Sequence, residues 1–393
     1  MAAAEMDKLQ ARAPEGAPVP ILYTIPNFTT AGSGHAMLQV VRGLDRKRFA
    51  PSIAVLKRGG HLEEEIARLN IPYMQGNFLV DSRPLWSLPA RARRAAAEFR
   101  GRGFVLWHSF HYLDDYTEPL VARFAGARAW FYTKKNMSWN RRSWLIRSLL
   151  AKGVTAQNTD MLRRFFSSPL LRGRARLVPP SIDPSVFYPG VPPRLGLRAR
   201  HGLGEGAVVV ACVAHLLPVK NQELAIRAVA AVPGLTLWLA GRDSDAAYAA
   251  KLRAVASELG ASDRIVFLGE VRDVPALLAE IDIFVLPTRA EGRMEGCPVA
   301  LLEAMASGRA CVATRIPGPK DVIRNDECGV LVDSEDPAAL GRVLGALAAD
   351  PARRQRMGEA GLRRVLEGYT VAHEVAAHEA LYTDVLASLG GRP

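Results

Sequence analysis

Short apolar runs alternate with longer amphipathic stretches along this chain. PILYTI (20–25), SIAVLK (52–57), FVLWH (104–108), AWFYT (129–133), GVTA (153–156) and RLVP (176–179) have the lengths and side chains of strands. Helices are expected between them near 34–46, 61–69, 88–100, 113–125 and 159–167. Six prolines then fall within the 18 residues VPPSIDPSVFYPGVPPRL (178–195), excluding regular structure over most of that stretch. The pattern restarts with AVVVACVA (207–214), LTLWLA (235–240), RIVFLG (264–269), DIFVLP (282–287), RACVAT (309–314) and GVLV (329–332). Past 337 the chain reads as helix to about 388, with a break at GYT (368–370).

Repeated strand–helix alternation implies an α/β fold with parallel sheets covered on both faces. Two such runs joined by a linker predict two doubly wound, Rossmann-like domains facing across a cleft. The expected divisions are an arm at 1–18, a first domain at 19–185, a second at 186–370 and a closing helix at 371–393. Ligands of such sheets bind beyond the carboxyl ends of the strands.

Composition sharpens this picture in three ways. No stretch approaches the roughly 18 apolar residues of a spanning helix, and the Ala- and Pro-rich start lacks the apolar core of a signal peptide. Four cysteines with no CxxC pair fit a reducing cytoplasm, with Cys212 and Cys311 read as core residues. The net charge of +12 is lopsided: residues 1–189 hold 28 Lys+Arg against 14 Asp+Glu, and the remainder 23 against 25. The first half is therefore expected to meet an anionic surface, such as the inner membrane face, or simply to be solubilised by its charge. Nucleic acid is not expected, because no zinc-finger spacing, RNP motif or aromatic-laced basic run is present.

Five post-strand loops carry candidate chemistry. NFTTAGSGHAM (27–37) places Gly32 and Gly34 before a helix, where backbone N–H groups suit phosphate or sugar hydroxyls; it lacks the third glycine of a dinucleotide fingerprint. WHSFHYLDD (107–115) offers His108 and His111, either for substrate contact or for structural hydrogen bonds, with Asp114 and Asp115 as further ligands were a metal held. VAHLLPVKN (213–221) brings His215 and Lys220, a cation suited to phosphate. In AGRDSDAAY (240–248), Asp243-Ser244-Asp245 reads better as a helix cap than as a metal motif, and Arg242 is a possible phosphate contact. Last, RMEGCPVALLEAMASG (293–308) sets Glu295 ahead of a helix and Glu303 within it among apolar neighbours, with Val299, Leu302 and Ala306 expected on one face. Pro298 suits the first helical turn. A carboxylate buried there needs donors, which two ribose hydroxyls would provide, while the free N–H groups of Gly296, Cys297 and Val299, on either side of Pro298, which has none, would face a diphosphate. The plainer alternative is a helix-dipole residue plus an exposed Glu303.

The E-x7-E pair Glu295/Glu303 in EGCPVALLEAMASG closely resembles the signature of retaining glycosyltransferases of family 4, which have the GT-B fold. The resemblance runs from about 20 to 385 and takes in GSGHAMLQVVRGL, GVTAQNTDMLRRF, LVPPSIDPSVFYP and DVPALLAEIDIFVLPTRAEG. It implies acceptor binding in the first half and nucleotide-sugar binding, UDP- or GDP-linked, in the second. Glu303 would hold the donor ribose, Glu295 the transferred sugar or its phosphate, and Lys220 the diphosphate. Val271, in GEVRDV, would lie near the base. His108, or alternatively His111, would sit near the anomeric carbon, and Asn158 where the chain returns to the cleft. No metal or other cofactor is implied. In one departure from the pattern, Pro180-Ser181 replace the Asn-Gly of the interdomain segment. In another, His215 stands where an Arg usually accompanies the lysine, so Lys220, assisted by Arg242, would carry more of the phosphate charge. The expected activity is transfer of a sugar, with retention, to a glycan, lipid-linked or polysaccharide acceptor, by a cytoplasmic protein peripheral to the membrane. An epimerase or phosphorylase of the same fold, or a non-catalytic sugar or polyanion binder, is the rival reading.

Overall fold

The structure is a computed structural model that describes residues 17–390 other than 30, 61, 140, 205, 292–295, 325 and 334. The expected arm therefore lies almost wholly outside the described residues, and Glu295 lies outside them as well.

Two all-parallel sheets organise the chain. The first contains β1 (Val19–Ile25), β2 (Phe49–Val55), β3 (Tyr73–Gln75), β4 (Leu106–Ser109), β5 (Ala129–Lys134), β6 (Gly153–Ala156) and β7 (Ala175–Leu177), in the order β3-β2-β1-β4-β5-β6-β7. The second contains β8 (Val208–Val213), β9 (Leu235–Ala240), β10 (Ile265–Gly269), β11 (Ile283–Leu286), β12 (Ala310–Thr314) and β13 (Val330–Val332), in the order β10-β9-β8-β11-β12-β13. Every residue of β5, β9, β11 and β12 is buried. Such strands read as continuous apolar runs because helices cover both faces. Strand order reverses between β1 and β4 in one sheet and between β8 and β11 in the other, and crevices open at such points. This is the two-domain α/β arrangement of a GT-B fold.

The terminal helix Val371–Ser388 packs on the first sheet, where Val375, Leu381, Tyr382, Val385 and Leu386 share a core with Ile21, Tyr23 and Phe131. The Pro-rich linker meets the start of this helix. Ile182 N–H donates to Tyr369 O at 2.8 Å, and Val371 N–H donates to Ile182 O at 3.2 Å. Ser181 Oγ donates to Glu374 Oε2 at 2.5 Å, so both interdomain crossings are tied side by side.

Several elements depart from the sequence expectation, among them β3, where no strand was expected, and the helix expected near 113–125, which begins at Glu118. The helix after β1 begins at Ala31, so Gly32 and Gly34 lie within its first turn. Asp350-Pro351 separates Pro337–Ala349 from Pro351–Gly368, because Asp350 caps a new helix through Arg353 N at 2.8 Å. Helix Arg141–Leu150 was not anticipated, because its apolar positions do not face the core.

Candidate active site

The four loops at the two reversal points are those after β1, β4, β8 and β11, and each is among the five singled out from sequence. After β11 the backbone runs past the carboxyl ends of β5 and β6 in the other domain. Gly296 is pressed there: a Cβ on it would lie 2.4 Å from Lys135 O and 2.5 Å from Gln157 Oε1. Asn158 fastens this junction. Its Nδ2 donates to Gly296 O at 2.5 Å while its Oδ1 accepts from Met161 N at 2.7 Å, capping helix Thr159–Phe165. Beside it, Thr159 N and Oγ1 donate to Asp321 at 2.6 and 2.7 Å, and Lys320 pairs with Asp160 at 3.1 Å. Glycine at 296 and a two-handed amide at 158 thus hold the cleft walls together.

Helix Val299–Ala306 follows, with Pro298 as its N-cap rather than within its first turn. Val299 is exposed, not buried beside Leu302 and Ala306, because it stands at the helix start. Cys297 is buried, and burial raises its thiol far above the ordinary value. Glu303 is half-buried, and loss of hydration raises its carboxyl to about 7. Among the described residues no hydrogen bond or ion pair satisfies that carboxyl.

Lys220 closes the 3-10 turn Pro218–Lys220 after β8, and burial lowers its amine. Its loop is joined to the one after β11 by Arg289 N–H donating to Val219 O at 2.9 Å. His215 is exposed, with Nδ1 2.8 Å from Ser244 Oγ. Arg242 is exposed and paired with Glu270 at 3.1 Å. Asp245 caps helix Ala246–Glu258 through Tyr248 N at 3.0 Å. Val271 is half-buried against the second domain's core.

His108, within β4, and His111, just after it, are both buried and bonded to protein groups. The His108 ring is fully buried, with Nδ1 2.6 Å from Tyr382 Oη and Nε2 3.0 Å from Thr133 Oγ1. Burial, then His378, hold it well below its ordinary pKa, so it is a neutral link to the terminal helix. His111 is also buried. Its Nδ1 accepts from Leu113 N at 3.2 Å, leaving Nε2–H to donate to Glu118 Oε2 at 2.8 Å. Glu118 accepts also from Thr24 Oγ1 and from Trp107 Nε1 at 3.0 Å, and Arg147 lies 3.8 Å away. Burial opposes its charge, but His111, Arg147 and Thr24 together hold it at about 2. This buried network fixes the loop. Asp115 caps the helix start through Thr117 N at 2.8 Å, and no group of His, Cys, Asp or Glu among the described residues is arranged to hold a metal. In the first turn of the helix after β1, a Cβ on Gly34 would press on Leu62 and Phe28 at 2.7 and 2.9 Å, so packing accounts for that glycine; Gly32 is in open space.

Sequence reasoning missed Lys134 and Lys135 at the end of β5. Lys134 Nζ donates to Asn136 O and Ser138 O at 2.6 and 2.7 Å and sits 4.1 Å from the Trp144 ring centre. Among the described residues Lys135 Nζ has no hydrogen-bond partner, and it lies 4.8 Å from the Phe110 ring centre. Burial lowers both amines to about 7. The available signal was the abrupt change from AWFYT to KKN at a strand's carboxyl end.

Residues 195–364 match the profile of the family described as Glycosyl transferases group 1. The chain is 30% identical over 375 residues to the lipopolysaccharide core biosynthesis mannosyltransferase LpcC of Rhizobium leguminosarum bv. viciae, covering 92% of this chain and 96% of that one. It is 34% identical over 201 residues to a GDP-mannose-dependent alpha-(1-6)-phosphatidylinositol monomannoside mannosyltransferase of Mycolicibacterium smegmatis, spanning 49% of this chain and only about half, 52%, of that relative. A glycosyltransferase from Rickettsia africae ESF-5 superposes with a TM-score of 0.83 at 15% identity over 94% of this chain and 99% of that one. Alr3699/HepE of Anabaena, crystallised with UDP and glucose, superposes with a TM-score of 0.78 at 17% identity over 93% of this chain and 100% of that one, a likeness of fold.

Proposed function

This chain belongs to the group 1 glycosyl transferases, and from that premise we propose that it is a retaining hexosyltransferase moving mannose or a related hexose from a nucleoside diphosphate to a lipid-carried glycan acceptor. The observation that carries the reading is Glu303, a half-buried carboxyl raised to about 7 and lacking a described partner, one turn into a helix at the cleft-side end of β11. Two ribose hydroxyls would each donate to one carboxylate oxygen. The family resemblance of the E-x7-E pair supports this assignment, and it also supports a sugar contact by Glu295. The diphosphate would then lie against the start of the same helix and Lys220.

In this reading the bond between the anomeric carbon and the β-phosphate oxygen breaks while the acceptor oxygen bonds to that carbon on the same face. The acceptor's proton passes to the departing phosphate, so a nucleoside diphosphate and the glycoside are the only products. Lys220 and the helix start stabilise charge as it gathers on the diphosphate. Asn158 and Gly296 keep the acceptor and donor domains in register, and closure excludes water that would hydrolyse the donor. The names of the Rhizobium and Mycolicibacterium relatives favour mannose and lipid-associated acceptors.

The test is incubation with GDP-mannose, and separately UDP-glucose, in the presence of lipid-linked glycan acceptors. Release of nucleoside diphosphate only with acceptor, and an α-linked product by NMR, is the expected result. A β-linked product would overturn retention, and acceptor-independent epimerisation would overturn transfer.

A further inference from the structure

Helix Arg141–Leu150 is inside out. Trp144, Arg147 and Ser148 face the core, whereas Leu145, Ile146, Leu149 and Leu150 are 37%, 40%, 38% and 41% exposed. Residues at i, i+1, i+4 and i+5 form one stripe on a helix. The register is locked by Arg147. Its Nη2 donates to Ser109 Oγ at 2.8 Å and its Nη1 to Asp115 O, and its guanidinium stacks 4.7 and 4.9 Å from the Trp130 and Tyr132 ring centres. The helix therefore cannot roll its leucines inward without stranding a buried cation.

Leu170, 65% exposed, lies beside the stripe: Arg174 donates to Leu170 O at 3.3 Å and to Leu149 O at 3.2 Å. The charge around it is one-sided. Residues 139–177 contain nine Lys and Arg, of which Arg147 is buried and Arg176 pairs with Asp384 at 2.7 Å, but a single acid, Asp160, which already pairs with Lys320 at 3.1 Å. Helix Leu88–Ala96 packs in the same core layer as Trp144, and just ahead of it stand Arg83, Leu85 and Trp86, the last 85% exposed.

We infer that this helical face of the first domain, centred on Leu145, Ile146, Leu149 and Leu150, is a seat for an anionic phospholipid bilayer. The physical argument is joint: apolar side chains enter the acyl boundary while the flanking cations meet lipid phosphates. A second copy of the chain fits less well, because a two-fold contact sets each patch against itself and brings its cations together. A hydrated polyanion would leave the leucines uncovered. No helix among the described residues is long and apolar enough to cross a membrane, so this contact lies on the surface. The inference does not depend on which donor or acceptor is used.

The test is co-sedimentation of the full chain with vesicles of phosphatidylglycerol and phosphatidylcholine, against phosphatidylcholine alone. The variants are Ile146→Asp/Leu149→Asp and, separately, Arg142→Glu/Arg172→Glu; all four positions are exposed, so folding is preserved and is checked by melting temperature. The expected result is salt-sensitive binding to anionic vesicles that falls at least about ten-fold in both variants. Absence of wild-type binding, or variants that bind as the wild type does, overturns the inference. So does a wild-type dimer that the variants convert to monomer without affecting sedimentation, which would assign the face to a second copy. Stabilisation by GDP-mannose is recorded in parallel. Its absence counts against the transferase reading and leaves the sedimentation result standing.

Discussion

Replacing Glu303 by Gln should make the ligand-free protein more stable and its donor binding weaker. Burial raises this carboxyl from its ordinary 4.5 to about 7. A carboxyl raised in the folded state lends relative stability that is complete below about 4.5 and is lost as pH climbs through about 7. At pH 8 the charged form then costs at most about 3 kcal/mol, and partial contact with water reduces this to about 1–2 kcal/mol. Glutamine keeps the shape without the charge. The variant should melt higher by about 2–8 °C at pH 8, with the gain shrinking towards zero by about pH 4.5. Adding a nucleotide sugar should reverse the order, since the wild type gains stability by linkage and the variant gains less. Thermal unfolding at pH 5 and pH 8, with and without donor, reads all four quantities. A variant that melts no higher at pH 8, or whose gain is the same at pH 5, would refute the claim that Glu303 is an unsatisfied charge awaiting a ligand.

Other substitutions probe the supports of the site. Asn158→Ala removes a helix cap and the bond to Gly296, and should cost about 1–2 kcal/mol in unfolding free energy and raise the donor KM. Gly296→Ala forces a methyl against Lys135 O, so transfer activity should fall at least about ten-fold while the circular dichroism spectrum stays unchanged. Arg147→Met removes a buried cation 3.8 Å from Glu118 together with its bonds to Ser109 Oγ and Asp115 O, and should lower stability by about 3–5 kcal/mol in denaturant titrations. Arg242→Ala removes a paired, exposed cation; stability should change by less than about 1 kcal/mol, and an unchanged donor affinity would end its suggested role as Lys220's assistant.

The sheets were legible because their strands are buried on both faces and read as unbroken apolar runs, as LTLWLA at β9 does. Loops after strands pointed to the cleft for a topological reason, and the order reversals fall at β1/β4 and β8/β11. Short or inverted elements were less legible. β3 spans only Tyr73–Gln75, and helix Arg141–Leu150 hides a buried arginine behind an outward apolar stripe. The histidines' partners were not legible, because sequence places both at a strand end without revealing which way their rings turn. Tyr382, 274 positions further on, draws His108 inward, and Glu118 takes His111. The junction between the domains was only half visible: Asn158 was marked by resemblance, while its bond to Gly296 O, the bonds of Thr159 to Asp321 and the approach of Gly296 to Lys135 O are long-range contacts that no local pattern announces.

The central claim is that Glu303 holds the ribose of a nucleotide sugar. Calorimetric titration of a GDP-hexose and its 2′,3′-dideoxyribose counterpart into the wild type and Glu303→Ala tests it most directly. The account predicts that the wild type binds the dideoxy compound at least about ten-fold more weakly, whereas Glu303→Ala binds both with the same reduced affinity. Equal binding of the two compounds by the wild type, or undiminished discrimination by Glu303→Ala, would contradict it.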